Sequence, residues 1–208
     1  MVKCFCGSIR FQSFNGRPLS QCSLCNSVER HRDMYRYIEW NRILRKKQTI
    51  LHIAPEKGLY QKIIETTGRS NYFCADKDPN IYKNISKRSC IEIDISTNSF
   101  PFEKSFFDLI IHNHVLEHLS GSYKDHLSFL IALLKKEGRM IFTIPEILFP
   151  KTVEYGENLS SDQERIRFHG QHDHVKTFGF DFIEYFNSLD YKTIVKSQNS
   201  TTIFDLTK

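Results

Sequence analysis

Between residues 49 and 145 the chain alternates near-continuous apolar runs with segments whose apolar residues return every three or four positions. Residues 49–54 predict a strand, and residues 59–67 a helix that Gly68 can terminate. Residues 71–75 and 90–93 predict two more strands. The run at 107–112 has the pattern of a strand buried on both faces. Residues 123–136 predict a helix with Leu127, Leu130, Ile131 and Leu134 along one side. Lys136-Glu137-Gly138 then predicts a turn into a strand at 139–144, stopped by Pro145. Residues 181–188 predict a last helix, and 191–195 and 201–206 a closing pair of strands. Strands separated by helices predict an α/β fold: a Rossmann-like, doubly wound, seven-stranded sheet whose last strand is antiparallel.

Two stretches lie outside that alternation. Residues 1–26, with Gly7, Gly16, Pro18 and short aromatic pieces, predict small hairpins with knuckle turns, a cysteine-rich module. Residues 27–47 predict a linking helix, with Ser27 as N-cap and Val28, Tyr35, Ile38, Ile43 and Leu44 as its apolar stripe. The main domain, 48–208, carries a polar, strand-poor insert at 146–176 with one short helix beginning near Ser161. An insert of that length in a compact domain predicts a functional segment.

Composition narrows the picture. The 208 residues are 40% hydrophobic, enough for one α/β domain and a small appendage. Without an apolar run of about 18 residues no membrane span is expected. The start Met1-Val2-Lys3-Cys4-Phe5-Cys6 has no apolar leader core, so a cytoplasmic protein is expected. The net charge of +5 is a mild basic excess. The basic positions Arg30, His31, Arg32 and Arg36 are read as a solvated helix face, with a phosphate- or nucleic-acid-facing surface as the alternative. Cys74 and Cys90 lie in apolar runs and read as small core residues.

A doubly wound sheet binds ligands beyond the carboxyl ends of its strands, at the point where strand order reverses. The segments there are Ala54-Pro55-Glu56-Lys57-Gly58, Asp76-Lys77-Asp78, Asp94-Ile95-Ser96 and Asn113-His114. A carboxylate ending the second strand can accept from both hydroxyls of a ribose, the expectation for Asp76. Asp94 can accept from an adenine amino group while Ile95 packs on the ring.

The stretch from Asp94 to Leu119 closely resembles the motif III–IV region of class I S-adenosylmethionine (SAM)-dependent methyltransferases. Residues 133–142, Leu-Leu-Lys-Lys-Glu-Gly-Arg-Met-Ile-Phe, resemble their approach to the fifth strand. The resemblance, covering residues 48–145, implies SAM as cofactor and a binding set of His52, Ala54, Glu56, Gly58, Asp76, Asp94, Ile95 and Asn113. The first loop departs from the family pattern. His52 replaces the usual acid and Ala54 and Glu56 replace two glycines, leaving Gly58. Glu56 is expected to pair with the cofactor's ammonium group. The segments Ser27-Val-Glu-Arg-His-Arg32 and Gly170-Gln-His-Asp-His-Val-Lys-Thr-Phe-Gly179 resemble a narrower subgroup with an N-terminal cysteine module. That likeness implies a small-molecule or glycan-pathway methyltransferase.

Cys22-x-x-Cys25 has zinc-knuckle spacing. Its counterpart, Cys4-Phe-Cys6, is one residue short. A structural zinc on Cys4, Cys6, Cys22 and Cys25 is expected, the alternative being a metal-free relic with buried thiols.

Methyl transfer from a sulfonium needs alignment above all, and a hydroxyl acceptor gains from a general base. His114 and His118 follow the fourth strand; Gln171, Asp173, His174 and Lys176 lie in the insert. Asp173, His174 and His114 are the expected catalytic groups, and Gln171, Lys176 and His118 the expected acceptor-binding ones. The histidines at 169, 172 and 174 are read as hydrogen-bonding or solvated rather than as a catalytic metal site. The expected reaction is methyl transfer to an anionic or sugar-linked metabolite of surface-glycan biosynthesis. The alternatives are an rRNA guanine methyltransferase, which would make nucleic acid a partner, and a non-catalytic SAM-fold binding subunit.

Overall fold

The computed structural model describes residues 2–82, 90–154, 161–198 and 201–208. Seven strands form the main sheet: β3 (Ile50–Ile53), β4 (Tyr72–Asp76), β5 (Ile91–Glu92), β6 (Phe107–Asn113), β7 (Leu134–Pro145), β10 (Lys192–Gln198) and β11 (Thr201–Thr207). Their order is β10-β11-β7-β6-β3-β4-β5. The strands from β5 to β7 pair in parallel, and β11 alone runs against its neighbours. This is the Rossmann-like sheet expected, with the reversal of strand order between β3 and β6.

Helices cover both faces. Helices α1 (Glu29–Trp40) and α2 (Lys57–Thr67) lie on one side, over Ile50, Leu109, Ile111, Ile141 and Ile203. Helices α3 (Tyr123–Leu133) and α5 (Phe180–Ser188) lie on the other, over Leu51, Ile53, Ile110, Met140, Phe142 and Phe204. Strand residues alternate between these two layers, as a period of two requires. Tyr37 on α1 donates to Asp205 of β11 at 2.7 Å, and Arg139 Nε donates to the same carboxylate at 3.2 Å.

Boundaries differ from expectation where the chain bends. The strand expected at 139–144 begins at Leu134, because Lys136-Glu137-Gly138 is an irregularity within β7 rather than a turn before it. Glu137 takes a left-handed φ of 63° there, and a β-carbon on Gly138 would meet the Lys135 carbonyl at 2.9 Å. The linking helix stops at Trp40, and α3 stops at Leu133.

The N-terminal segment forms a hairpin of β1 (Phe11–Phe14) and β2 (Arg17–Cys22). Within the insert, α4 (Asp162–His169) starts on a Ser161–Glu164 capping box. The two-residue strands β8 (Val153–Glu154) and β9 (Lys176–Thr177) pair antiparallel. Residues 155–160 of the insert lie outside the described residues. The insert docks on the turn after β6: Val175 N–H donates to Glu117 O at 2.8 Å, and the Lys176 ammonium donates to Leu119 O. That docking positions the site.

Candidate active site

At the carboxyl ends of β3, β4 and β6 lies a cavity of about 450 Å³, lined among others by Ala54, Asp76, Asp94, Ile95, His114 and His118. Such a volume lies within the range of small-ligand sites, ~300–1,000 Å³. Two of its lining residues have left-handed backbones, Ala54 (φ 49°) after β3 and His114 (φ 51°) after β6. Non-glycine residues with positive φ are uncommon and cluster where a fold holds a functional geometry. Here they flank the point of strand reversal.

The Asp76 carboxylate is oriented by its own loop. Its Oδ1 accepts from Asp78 N–H at 2.8 Å and its Oδ2 from the Tyr82 hydroxyl at 2.7 Å. Asp94 accepts from Ser96 N–H at 3.0 Å and lies 3.1 Å from the Lys77 ammonium. The Ser96 hydroxyl and Lys77 hold the Asp94 carboxyl below its usual range, against a smaller effect of burial.

Four residues expected around the cofactor do not line this cavity. His52 shares its side of β3 with Ile50, so it faces the α1–α2 layer. It is fully buried, its Nδ1 is 2.7 Å from the Tyr72 hydroxyl and its Nε2 is 3.3 Å from Glu56. Glu56 also stands 3.3 Å from His31, so its carboxylate is held by two imidazoles rather than left for a ligand. Burial favours the acid form of Glu56, but His31 and His52 outweigh it and hold its pKa low. Burial in turn drives His31 down to about 4. Gly58 faces the cysteine module: a β-carbon there would meet Ser27 Oγ at 2.3 Å and Cys25 Sγ at 3.1 Å. The Asn113 side chain accepts from the Thr143 hydroxyl at 2.9 Å inside the sheet.

A second cavity of about 480 Å³ shares His114 with the first as a lining residue. The hairpin supplies Phe14 and Arg17, α1 supplies Arg30, and the insert supplies His169, Gln171 and His174. The segment Ser27–Arg32 explains the assembly. Arg32 is buried, not solvated, and its guanidinium donates to Ser20 O at 3.0 Å and Ser27 O at 2.9 Å, fastening α1 to the hairpin. His31 reaches Glu56. Arg30 is left to the second cavity, half-buried, and its Nε has no hydrogen-bond partner among the described residues. Burial lowers its pKa, against the attraction of Glu56 and Glu117. The solvated-face reading therefore fails for these three residues: Arg32 and His31 tie α1 to the module and to Glu56, and Arg30 lines the cavity.

The histidines regroup in space. His174 Nδ1 lies 3.1 Å from His169 O, and His118 Nδ1 lies 3.0 Å from Asp173 O. A carbonyl oxygen can only accept, so each Nδ1 carries a proton, and in the neutral ring Nε2 is the nitrogen with the lone pair. Asp173 and His174 do not pair; the Asp173 carboxylate instead stands 3.4 Å from His118 Nδ1 and lines the first cavity. His114 Nδ1 lies 3.3 Å from Glu117 Oε1, and its Nε2 lies 3.1 Å from Thr201 Oγ1. Lys176, expected to hold acceptor charge, is 2% exposed with its ammonium on Leu119 O, so it braces the insert instead. Glu117, in the turn after β6, is fully buried between these groups.

In the N-terminal module all four cysteines converge despite the short Cys4-Phe-Cys6 half. Cys4 Sγ is 3.6 Å from Cys25 Sγ, and Cys6 Sγ is 3.6 Å from Cys22 Sγ. All four sulfurs lie within 4.8 Å of one another.

Residues 51–142 match the family described as "Methyltransferase domain". No curated protein matches the chain. Among solved structures, a chain of the complex between the Haloferax volcanii Trm112 methyltransferase activator and a methyltransferase is similar at TM-score 0.64 and 12% identity, over 86% of this chain and 90% of that one. A SAM-dependent methyltransferase from Archaeoglobus fulgidus is similar at TM-score 0.60 and 13% identity, over 86% and 92%. Burkholderia thailandensis 1,6-didemethyltoxoflavin-N1-methyltransferase, solved with its substrate and S-adenosylhomocysteine, is similar at TM-score 0.59 and 13% identity, over 86% and 77%. Residues 51–142 thus form a methyltransferase domain, on a fold shared with SAM-dependent methyltransferases. Among the described residues no helix is long and apolar enough to cross a membrane.

Proposed function

We propose that the protein transfers the SAM methyl group to a hydroxyl of a small anionic metabolite, sugar-linked in the form expected from the sequence. SAM occupies the cavity at the ends of β3, β4 and β6, with its ribose on Asp76 and its adenine between Asp94 and Ile95. The acceptor occupies the second cavity, its negative group on Arg30 and Arg17 and its polar groups near Gln171. The observation that carries this reading is that His114 lines both cavities, so they adjoin at one residue. An in-line displacement needs donor and acceptor on opposite sides of one short path.

In the reaction the acceptor oxygen attacks the methyl carbon, the carbon–sulfur bond breaks with its electron pair going to sulfur, and S-adenosylhomocysteine leaves. The acceptor's proton must also depart. His174 lines the acceptor cavity with its Nε2 lone pair free of any protein hydrogen bond among the described residues, and is assigned to acceptor activation. His118 and Asp173 fix that wall from the cofactor side. His114 holds the passage between the two cavities.

The cysteine module fits a structural zinc. A tetrahedral centre with zinc–sulfur bonds of ~2.3 Å sets sulfurs roughly 3.8 Å apart, close to the spacing found here. Four thiolates leave no position for a reacting molecule, so the ion would fix the module that carries Arg17 toward the acceptor.

The test is calorimetric titration with S-adenosylhomocysteine, followed by measuring its release from SAM with a panel of sugar phosphates and uronates. Saturable binding, and turnover with an anionic sugar that falls when Arg30 is replaced by Gln, is expected. Turnover on an uncharged acceptor that ignores Arg30→Gln would overturn the anionic assignment.

A further inference from the structure

Glu117, His118 and His174 each offer one ligand atom to a common point, all within 4.8 Å of one another. They come from two parts of the chain, the turn after β6 and the insert, joined by the Val175–Glu117 hydrogen bond at 2.8 Å. Glu117 is fully buried, and neither of its oxygens has a hydrogen-bond partner among the described residues. A buried carboxylate left in that state is costly unless a cation compensates it. His114 Nδ1, at 3.3 Å, is close to Oε1 but does not form an aligned hydrogen bond.

The two imidazoles are prepared in the manner of metal ligands. Each has its Nδ1 proton committed to a backbone carbonyl, at 3.1 Å for His174 and 3.0 Å for His118. Ligand histidines are commonly held this way, since the outer hydrogen bond fixes the tautomer and raises the basicity of the other nitrogen. The rings stand edge-on at 86° with centroids 4.7 Å apart. One carboxylate and two imidazoles form a donor set suited to a divalent transition metal of intermediate softness, with positions left open for further ligands.

We propose that Glu117, His118 and His174 bind a divalent transition-metal cation at the seam between the two cavities, distinct from the cysteine cluster. This deepens the function proposed above and rests on it for one element, that the second cavity takes the acceptor. An acceptor hydroxyl reaching an open position would have its acidity raised by the cation. His174 then activates the acceptor as a ligand rather than as a free base, and the acidified hydroxyl releases its proton to solvent water as its oxygen attacks the methyl carbon. His118, which lines the first cavity, and His174, which lines the second, place the cation between methyl donor and acceptor.

The test uses Co²⁺ added to the full chain carrying a single equivalent of Zn²⁺, which four thiolates take ahead of one carboxylate and two imidazoles. Calorimetry gives stoichiometry and affinity, and visible absorption identifies the ligands, because cobalt on nitrogen and oxygen lacks the thiolate charge-transfer band. One equivalent bound without that band is expected. Glu117→Gln keeps the side-chain volume, and His118 is about one-third exposed, so His118→Ala keeps the fold even if the first variant does not. Each substitution should weaken Co²⁺ binding by about tenfold or more, since losing even an outer-shell partner costs ~10–100-fold. His172→Ala, a nearby exposed histidine outside the cluster, should leave it unchanged. No saturable uptake by the wild type, uptake only with the charge-transfer band, or uptake indifferent to both substitutions would overturn the site. S-adenosylhomocysteine binding and His174-dependent turnover without any cobalt uptake would overturn the cation alone and leave the proposed function standing.

Discussion

A β-carbon on Gly58 would stand 2.3 Å from the Ser27 hydroxyl, closer than packed atoms approach. The glycine in the first turn of α2 thus serves the cysteine module seated against it, with Cys25 Sγ 3.1 Å and Phe5 3.1 Å from the same point. Ser27 is 1% exposed and its hydroxyl accepts from Cys25 Sγ at 3.2 Å, so moving it disturbs the cysteine cluster. Gly58→Ala should therefore destabilise the protein, although alanine is intrinsically better in a helix by ~1 kcal/mol. Overpacking of this kind costs roughly 1–3 kcal/mol, so a net loss is expected on chemical denaturation. Faster zinc loss to a chelator should accompany it. A more stable variant would show that the module does not press on α2.

The fold was legible because its signal is periodic: the apolar runs at 50–53, 72–76 and 107–113 became the central strands within a residue or two. Asp76, Asp94 and Ile95 were legible for the same reason, as strand-end positions follow from strand assignment. His52 and Glu56 were misplaced because chain position does not say which layer a side chain joins. Parity along β3 sends His52 to the α1–α2 side, where His31, a residue of another element, completes the pair with Glu56. The second cavity could not be read at all, since Arg30, His114 and His174 belong to segments that meet only through the hairpin and insert. A signal did exist in Arg32: a guanidinium beside a cysteine module can bind backbone carbonyls, and here it does.

Asp76→Ala should weaken S-adenosylhomocysteine binding. A hydrogen bond to a charged acceptor is worth about 1.5–3 kcal/mol, or roughly ten- to a hundred-fold in affinity. Tyr82→Phe removes the hydroxyl that donates to Asp76 Oδ2 at 2.7 Å and should have a smaller effect in the same direction. Calorimetry on both variants checks the assignment. Unchanged affinity in Asp76→Ala would remove that carboxylate from the ribose.

Arg30→Gln should separate the two cavities functionally. Arg30 lines the second and not the first, so S-adenosylhomocysteine affinity should stay within about twofold while KM for an anionic acceptor rises about tenfold or more, the cost of one charge-assisted hydrogen bond. The ordinary salt bridge between Arg17 and Glu29, at 3.4 Å, leaves Arg17 a weaker anchor, and Arg17→Gln should raise KM less. Equal loss of cofactor affinity in Arg30→Gln would mean that one continuous site had been divided wrongly.

His112 supplies a pH dependence with a definite sign. It is fully buried in β6, stacked on Phe142 with centroids 4.8 Å apart, and neither ring nitrogen has a partner among the described residues. Burial lowers its pKa to about 3, the attraction of Glu117 being too small to offset it. In the unfolded chain an imidazole titrates near 6.5. Between these values the unfolded state holds the extra proton, so stability is full above about pH 6.5 and falls as the pH drops toward 3. One such group contributes at most about 1.4 kcal/mol per pH unit. His112→Phe keeps the stacking and removes the titration. Relative to wild type, it should gain about 2 kcal/mol on moving from pH 7.5 to pH 5, measured by urea unfolding at both values. The slope common to both proteins comes from other groups, among them His31, His169 and His174, whose pKa burial also lowers. A difference between the two proteins that does not change with pH would mean that His112 meets solvent or finds a partner in the folded state.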